Sequence, residues 1–207
     1  MKRRTASFPW LWMLLAVVVV ALEVWHQKRP HSAPVQRTPG EFITLRSLRL
    51  VEDKGNDGDS FLIAHEGGSQ VLRLYFVDCA EKRSYKLVES RLRDQAAYFG
   101  ISVAATLRVG QKAKEFSEEL LRGGRFTVHT RMEAVYDSGR VYALVFFEDG
   151  ETLAEKLVKA GLCRIYTRGT DLPDGRTEFE FQQHLRRLES QAREQRLGAW
   201  GENRQRN

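Results

Sequence analysis

Three short segments of this chain carry side chains that could act together on a phosphate ester. Asp57 to Ser60 read Asp-Gly-Asp-Ser, residues 73–81 read Arg-Leu-Tyr-Phe-Val-Asp-Cys-Ala-Glu, and Gly139-Arg140 follow much later. Carboxylates suit a divalent cation that prefers oxygen ligands, and arginines match phosphate oxygens through paired hydrogen bonds. A further glutamate can accept a proton from an attacking water. These residue types indicate a phosphodiesterase site.

Calcium is the cation that these residues favour, because every candidate ligand is a hard oxygen, and magnesium is the alternative. The sequence has no His/Cys set with zinc spacing. An EF-hand loop beginning at Asp53 is excluded, since Ala64 stands where the bidentate glutamate belongs. Taken alone, Asp57-Gly58-Asp59 is more typical of a plain turn than of a metal site. The metal assignment therefore depends on Asp78 lying close to Asp59.

Alternating and β-branched runs predict five strands, at residues 43–51, 60–65, 70–78, 125–132 and 140–147. The strand at 70–78 would leave Asp78 and Glu81 where it gives way to a loop, and residues 65–69 read as a hairpin loop. Three helices are predicted, within 111–122, from Thr152 to Gly161 and from Thr177 to Gly198. This order fits an α+β fold built on a five-stranded Greek-key barrel of the OB type.

The first 40 residues differ from the rest of the chain. Lys2, Arg3 and Arg4 precede an apolar run from Phe8 to Leu22, which predicts a signal anchor or signal peptide over residues 1–26 and a linker over 27–41. The run is long for a signal-peptide core and short for a full span. An uncleaved anchor with the domain outside the cytoplasm is favoured, because the basic terminus resists crossing. The alternative is secretion after cleavage.

Net charge gives no support for a nucleic-acid-binding surface. The chain carries +6, of which six basic residues and one glutamate in residues 1–40 contribute +5, so +1 remains for the domain. A cluster of arginines near the C-terminus, from Arg186 to Arg206, is more typical of a solvated helix face. Affinity for nucleic acid would have to come from local groups.

The motifs resemble, in order and spacing, those of the thermonuclease or staphylococcal-nuclease-like family. The family's Asp-Gly-Asp-Thr corresponds to Asp57–Ser60, its Arg-Leu-x-x-Val-Asp-x-Pro-Glu to Arg73–Glu81, and its Tyr-Gly-Arg to Ser138–Arg140. The helix that ends at Gly161-Leu162 and the segment Gln183–Trp200 are also similar to family elements. The likeness spans roughly residues 45 to 200 and implies a domain at 42–201 followed by a polar tail at 202–207.

The resemblance implies a calcium-dependent endonuclease that hydrolyses DNA, and also RNA, with little sequence preference and leaves a 3′-phosphate. Asp59, Asp78 and the backbone carbonyl of Cys79 would hold the metal ion. Arg73 and Arg140 would stabilise the phosphoryl oxygens, and Glu81 would activate the attacking water. Nucleic acid is the expected partner, with the membrane through the N-terminal segment, and no protein partner is evident. The alternative is a non-catalytic OB-fold module that binds nucleic acid at the membrane.

The chain departs from the family pattern at several positions. Ala80 replaces a proline, Ser60 replaces a threonine, and residues 136–138 lack a lysine-tyrosine pair that contacts the terminal phosphate in other members. Thr167 falls where a stacking tyrosine is expected, and Tyr136 or Tyr166 could take its place. Residues 83–112 are longer than the family's loop and partly helical by pattern. They would either rim the substrate cleft or cover the core.

The two cysteines are Cys79 and Cys163. In the family's fold, the loop after the Arg-to-Asp strand lies near the segment after Gly-Leu, so the resemblance brings the two thiols close. In an exported protein a disulfide is then plausible. Two unrelated buried thiols remain the equal alternative.

Overall fold

The structure, a computed structural model, describes the backbone of residues 41–206 and the side chains of residues 41–202. The signal or anchor predicted at 1–26 lies outside the described residues, as does all of the linker except residue 41. Within residues 41–206, no helix is both long enough and apolar enough to cross a membrane. The domain boundaries and the location of the protein thus stay predictions.

The main sheet closes into a barrel. Its six strands are β1 (Ile43–Leu45), β2 (Arg49–Leu50), β3 (Ser60–His65), β4 (Gly68–Leu74), β6 (Phe126–Ala134) and β7 (Arg140–Phe147). Their order is β1-β6-β7-β4-β3-β2, with β4 and β7 parallel and the other pairs antiparallel. The two outermost strands, β1 and β2, are consecutive in the chain. The sheet therefore returns to its starting strand, as an OB-like barrel does.

The predicted first strand, 43–51, is one barrel strand broken in two. Ser47 lies at the break with a φ of 54°, in the left-handed region that few residues other than glycine adopt. Before the break the chain pairs with β6, and after it with β3. The break lets one strand contact two neighbours at different ends of the barrel. The hairpin between β3 and β4 is also tighter than predicted, since His65 pairs directly with Gly68.

The predicted strand 70–78 is wrong at its end. β4 stops at Leu74, and the chain turns at Phe76, whose φ is 70°. A separate strand, β5 (Val77–Cys79), then pairs antiparallel with β8 (Cys163–Ile165). Phe76 is fully buried and packs edge-on against Phe181, with ring centroids 4.9 Å apart. Asp78 consequently lies inside a second, two-stranded sheet and not at the end of the barrel strand.

Residues 41–206 contain four α-helices around the barrel, one more than predicted for this part: α1 (Glu89–Phe99), α2 (Val103–Gly123), α3 (Leu153–Lys159) and α4 (Glu178–Glu194). Thr152 and Thr177, where two helices are predicted to begin, each form a capping box with the glutamate three residues later, and α4 buries a face made of Phe181, Leu185, Leu188 and Ala192. However, α4 ends before Gly198, and a 3-10 helix follows at Gly198–Arg206. The described part of the chain therefore has an OB-like α+β fold with a mixed sheet and four helices.

The long segment 83–112 forms α1 and the first half of α2. The helix predicted at 111–122 begins earlier, at Val103, because the Ser102 hydroxyl caps it by accepting a hydrogen bond from the Ala105 N–H. Leu92, Ala96 and Phe99 of α1 are buried in the core. The same buried face carries Gln95, which turns toward the carboxylates. The segment thus covers the core and also reaches the site.

Cys79 and Cys163 form a disulfide between directly opposed residues of β5 and β8. Of the two alternatives left open by the sequence, the structure has the disulfide. Both residues are buried. The bond ties the strand that contains Asp78 to the strand that contains Arg164. It closes a loop between residues 84 positions apart in the chain.

We expect reduction of this disulfide to destabilise the domain. The loop-closure model assigns about 4.5 kcal/mol to a crosslink across 84 residues. For a domain of this size, that loss lowers the melting temperature by roughly 10 °C or more. The measurement is thermal unfolding of residues 41–207 with and without reductant. The matched control is the double variant Cys79→Ala/Cys163→Ala, whose melting temperature should not respond to reductant; an equal response in both proteins would contradict the assignment.

Candidate active site

Arg73 joins the two carboxylates that the sequence proposes as metal ligands. It lies on β4, and its guanidinium is buried. Nη1 contacts Asp59 Oδ1, and Nη2 lies 2.8 Å from Asp78 Oδ1. One arginine therefore bridges a turn before β3 and the separate strand β5. Burial opposes its charge, but the adjacent carboxylates raise the pKa of Arg73 above its usual range.

Asp59 is held in a fully buried position by the turn that precedes it. The Asp57 carboxylate accepts hydrogen bonds from the backbone N–H groups of Asp59 and Ser60, so Asp57 is the residue that forms the turn. Asp59 itself accepts a hydrogen bond from the Cys79 N–H through Oδ2. Burial raises the pKa of Asp59 well above its usual range, although Arg73 lowers it in part. Asp59 is thus a carboxylate with too little positive charge around it.

Asp78 has a richer set of partners. Its Oδ2 accepts hydrogen bonds from Gln95 Nε2 at 2.9 Å and from Arg164 Nε at 2.8 Å. Burial favours the neutral acid, but Arg73, the Gln95 hydrogen bond and the charges of Arg91 and Arg164 together lower the pKa of Asp78. The pKa of Asp78 is thus shifted in the direction opposite to that of Asp59. The guanidinium of Arg73 contacts both carboxylates, and Asp78 has additional side-chain donors in Gln95 and Arg164.

Glu81 is positioned by α1 at both its backbone and its side chain. The Glu81 N–H donates to Gln95 Oε1 at 2.9 Å, and the Glu81 carboxylate forms an ion pair with Arg91. Burial raises the pKa of Glu81, while Arg91 acts in the opposite direction. A carboxylate with a raised pKa holds a proton more readily than an ordinary surface glutamate. This property suits a group that must accept a proton from water.

Arg140 lies at the start of β7, and its side chain donates hydrogen bonds to neutral hydroxyl groups. Its Nε donates to Ser138 Oγ at 3.1 Å, and its Nη1 donates to Ser60 Oγ at 3.3 Å. Within the described residues it makes no ion pair. Its guanidinium faces a cleft with most of its donors unused. Such an arginine can bind a phosphoryl oxygen without first breaking an ion pair.

The structure brings all of the predicted site residues together and adds three that the sequence interpretation missed. These are Arg91 and Gln95 on α1 and Arg164 on β8. Gln95 is fully buried and also donates to the Cys79 carbonyl at 2.9 Å. A glutamine on the apolar face of an amphipathic helix was the available signal for it. Arg91 and Arg164 gave no comparable local signal.

Thr167 has a structural role at the position where a stacking tyrosine was expected. Its hydroxyl lies 3.3 Å from the Leu74 carbonyl and 3.2 Å from the Val77 carbonyl, across the turn that separates β4 from β5. The neighbouring Tyr166 is instead exposed, and Arg164 lies 3.9 Å from the centroid of its ring. Tyr136 is also exposed. Two tyrosines thus remain available for a substrate near the position that Thr167 does not fill.

Two glycines allow the helices to approach the site loops closely. A Cβ atom on Gly110 of α2 would lie 2.4 Å from the Glu81 carbonyl oxygen and 2.5 Å from that of Ala80. A Cβ atom on Gly58 would lie 2.7 Å from the Ala113 side chain and 2.8 Å from Cys79 Sγ. Both loops are therefore packed directly on α2. The alanine that replaces the family's proline does not leave the Glu81 loop unsupported.

The donor set fits a hard divalent cation in its chemistry. Asp59, Asp78 and the Cys79 carbonyl are oxygen ligands, and the carbonyl keeps a second lone pair beyond its bond to Gln95. The buried Asp59 carboxylate is short of positive charge, which a cation would supply. Within the described residues, no three His, Cys, Asp or Glu side chains cluster as metal ligands. A bound ion would thus rely on the backbone carbonyl and on water for its remaining ligands.

A family comparison agrees with this arrangement. A model of the family described as staphylococcal nuclease homologue matches residues 71–202, more than half of the chain. The matched segment contains Arg73, Asp78, Glu81 and Arg140, whereas Asp59 precedes it and reaches the site through the fold. The chain belongs to the staphylococcal nuclease homologue family, a family of nucleases.

Proposed function

We propose that this protein is a calcium-dependent endonuclease that hydrolyses phosphodiester bonds of DNA, and also of RNA, with little sequence preference. The observation that carries the proposal is the contact of Arg73 with both Asp59 and Asp78. Glu81 and Arg140, whose partners are neutral hydroxyls, lie beside them. A module that only binds nucleic acid would have no use for a buried carboxylate pair next to a glutamate of raised pKa. Family membership supports the same chemistry.

Arg140 and Arg73 serve the phosphate in this proposal. Arg140 donates to a non-bridging phosphoryl oxygen, because its present partners are neutral hydroxyls that are easily exchanged. Arg73 adds positive charge to the site, and its guanidinium also holds the two carboxylates in place. Contacts that strengthen as charge builds up on the phosphoryl oxygens lower the barrier. Calcium held by Asp59, Asp78 and the Cys79 carbonyl would add positive charge beside the same phosphate.

Glu81 serves the attacking water. Its carboxylate accepts a proton as the water oxygen forms a bond to phosphorus, and the bond between phosphorus and the 5′-oxygen breaks. The departing 5′-oxygen takes up a proton from solvent, and the product carries a 3′-phosphate. Gln95 and Arg91 keep Glu81 oriented during this step. The exposed Tyr136 and Tyr166 offer surfaces on which a base of the substrate can stack.

Removal of either reacting group should abolish most of the activity. We expect Glu81→Gln and Arg140→Ala each to lower kcat by about 100-fold or more, which is typical for loss of a single electrostatic group. The measurement is cleavage of plasmid and of single-stranded DNA by residues 41–207 in calcium. Glu89→Gln and Arg93→Ala, which remove the partners of an exposed ion pair on α1, are the matched controls. Wild-type cleavage by either site variant would contradict the catalytic assignment, and DNA binding without cleavage by the wild type would favour the non-catalytic module.

Calcium should stabilise the fold through the two carboxylates. Because a cation binds only the folded arrangement of Asp59 and Asp78, the melting temperature should rise as calcium exceeds its dissociation constant. In Asp59→Asn, which keeps the size of the side chain, this rise should be lost or much reduced. Asp94→Asn, an exposed change on α1, is the control and should respond like the wild type. The same calcium shift in Asp59→Asn and in the wild type would mean that the ion binds elsewhere.

We also propose that residues 1–26 act as an uncleaved anchor that holds the domain outside the cytoplasm, with secretion as the alternative. The apolar run and the basic terminus of the sequence support this. A disulfide is typical of an oxidising compartment and is consistent with it.

The full chain expressed in cells should therefore stay with membranes after a salt wash and keep its N-terminus in mass spectrometry. Added protease should reach the domain from the outer side. A chain that lacks residues 1–26 serves as the control and should be released from membranes. A soluble product that begins near Leu22 would replace the anchor by a cleaved signal, and a domain protected from outside protease would reverse the orientation.

A further inference from the structure

Arg91 and Arg140 stand at the boundary between two clefts. One cleft, of about 490 Å³, contains Tyr166 and Arg168 and is called the Tyr166 cleft below. The other, of about 400 Å³, contains Tyr85 and is called the Tyr85 cleft. Both are of a size that suits a small ligand. Within the described residues, Arg91 and Arg140 are the two residues that line both clefts.

The two clefts are lined by different residues of the candidate site. Arg73 and Asp78 line the Tyr166 cleft, and Ser60 and Glu81 line the Tyr85 cleft. A phosphate bound to Arg140 would therefore lie where the clefts meet. Each of the two nucleosides joined by that phosphate then has a cleft on its own side.

One wall of the Tyr85 cleft, formed by Tyr85, Val88 and Arg91, comes from the segment that distinguishes this chain from its family pattern. Tyr85 lies in the loop before α1, and its carbonyl accepts a hydrogen bond from the Val88 N–H in the turn that leads into the helix. Tyr85 is 54 % exposed and lines the cleft, so its side chain is accessible to a ligand there. The Tyr166 cleft presents comparable rings, with Tyr136 89 % and Tyr166 66 % exposed.

The charges of the two clefts differ. The Tyr166 cleft holds Arg73 and Arg168 in addition to the two shared arginines, and Asp78 is its carboxylate. The Tyr85 cleft holds the carboxylates Asp53, Asp57 and Glu81, and its guanidinium groups are the two shared ones. Carboxylates repel a further phosphate but accept hydrogen bonds from neutral sugar and base groups. The Tyr85 cleft thus suits an uncharged aromatic ligand next to a phosphate.

We infer that the Tyr85 cleft binds the nucleoside on one side of the scissile phosphate, with its base stacked on Tyr85, while the Tyr166 cleft binds the nucleoside on the other side. This inference rests on the proposed nuclease function. It makes the substrate a strand whose bases are unpaired on both sides of the cleaved bond, because both bases must leave a duplex to stack on protein rings. Tyr85 is a substrate-binding residue that the family motifs do not include.

The test uses a short single-stranded DNA that contains one stable abasic residue, so that each cleaved linkage gives its own product band. The wild type should cut both linkages next to the abasic residue about tenfold less than the other linkages, because each lacks one stacked base. Tyr85→Ala should cut the whole strand about tenfold less and no longer discriminate against one of these two linkages. Tyr166→Ala should lose discrimination against the other linkage. Tyr85→Phe, which keeps the ring, should behave like the wild type.

The outcomes separate this inference from the function on which it rests. If Tyr85→Ala still discriminates against both linkages, or loses discrimination against the same linkage as Tyr166→Ala, the two-cleft assignment is overturned while nuclease activity stands. If the wild type cuts no linkage in calcium, the proposed function fails and the inference fails with it. Because Tyr85 is exposed, its substitution should leave the melting temperature nearly unchanged, and an unfolded Tyr85→Phe variant would show instead that the residue is structural.

Discussion

A buried ion network around Arg73 is the constraint that the rest of the structure satisfies. Arg73, Asp59 and Asp78 are all removed from solvent, and removal of one partner from such a network costs about 3–5 kcal/mol. Further hydrogen-bond donors stabilise the two buried carboxylates. The Cys79 N–H serves Asp59, and Gln95 and Arg164 serve Asp78. The break after β4, which carries Asp78 out of the barrel sheet, is what makes this convergence possible.

The helices inserted between β5 and β6 hold the loop that carries Glu81, where the family pattern has a conformationally restricted proline. The family pattern has a proline before the glutamate, and this chain has Ala80. Gln95 compensates by contacting three successive features of the loop, namely the Asp78 carboxylate, the Cys79 carbonyl and the Glu81 N–H. Gly110 lets α2 pack directly on the carbonyls of the same loop. Tertiary hydrogen bonds, and not a restricted backbone residue, hold the loop in its position.

Sequence reasoning predicted what depends on local pattern. The strand runs, both capping boxes and the linear motifs of the site follow from residue type and spacing, and the structure contains them. It failed where the fold depends on contacts distant in sequence. The breaks at Ser47 and Phe76 have left-handed backbone conformations, which serine and phenylalanine rarely adopt and which the sequence therefore does not predict. In the sequence, Arg91 and Arg164 are indistinguishable from surface arginines. Arg164 reaches Asp78 because β8 pairs with β5, and Arg91 reaches Glu81 from α1. The roles of Asp59, Glu81 and Arg140 in catalysis stay predictions.

The disulfide separates the residues of the site into two groups, those inside its covalent loop and those that precede the loop. Gln95, Arg91, Glu81 and Arg140 belong to the covalent loop between Cys79 and Cys163, whereas Asp59 and Arg73 precede it. In the oxidised unfolded chain, Asp78 and Arg164 remain neighbours, so this long-range contact requires no search. The crosslink holds β5 and β8 near each other in the unfolded chain, although it does not by itself form their hydrogen bonds. The effective contact order of the site is thereby lower than its spacing along the chain suggests.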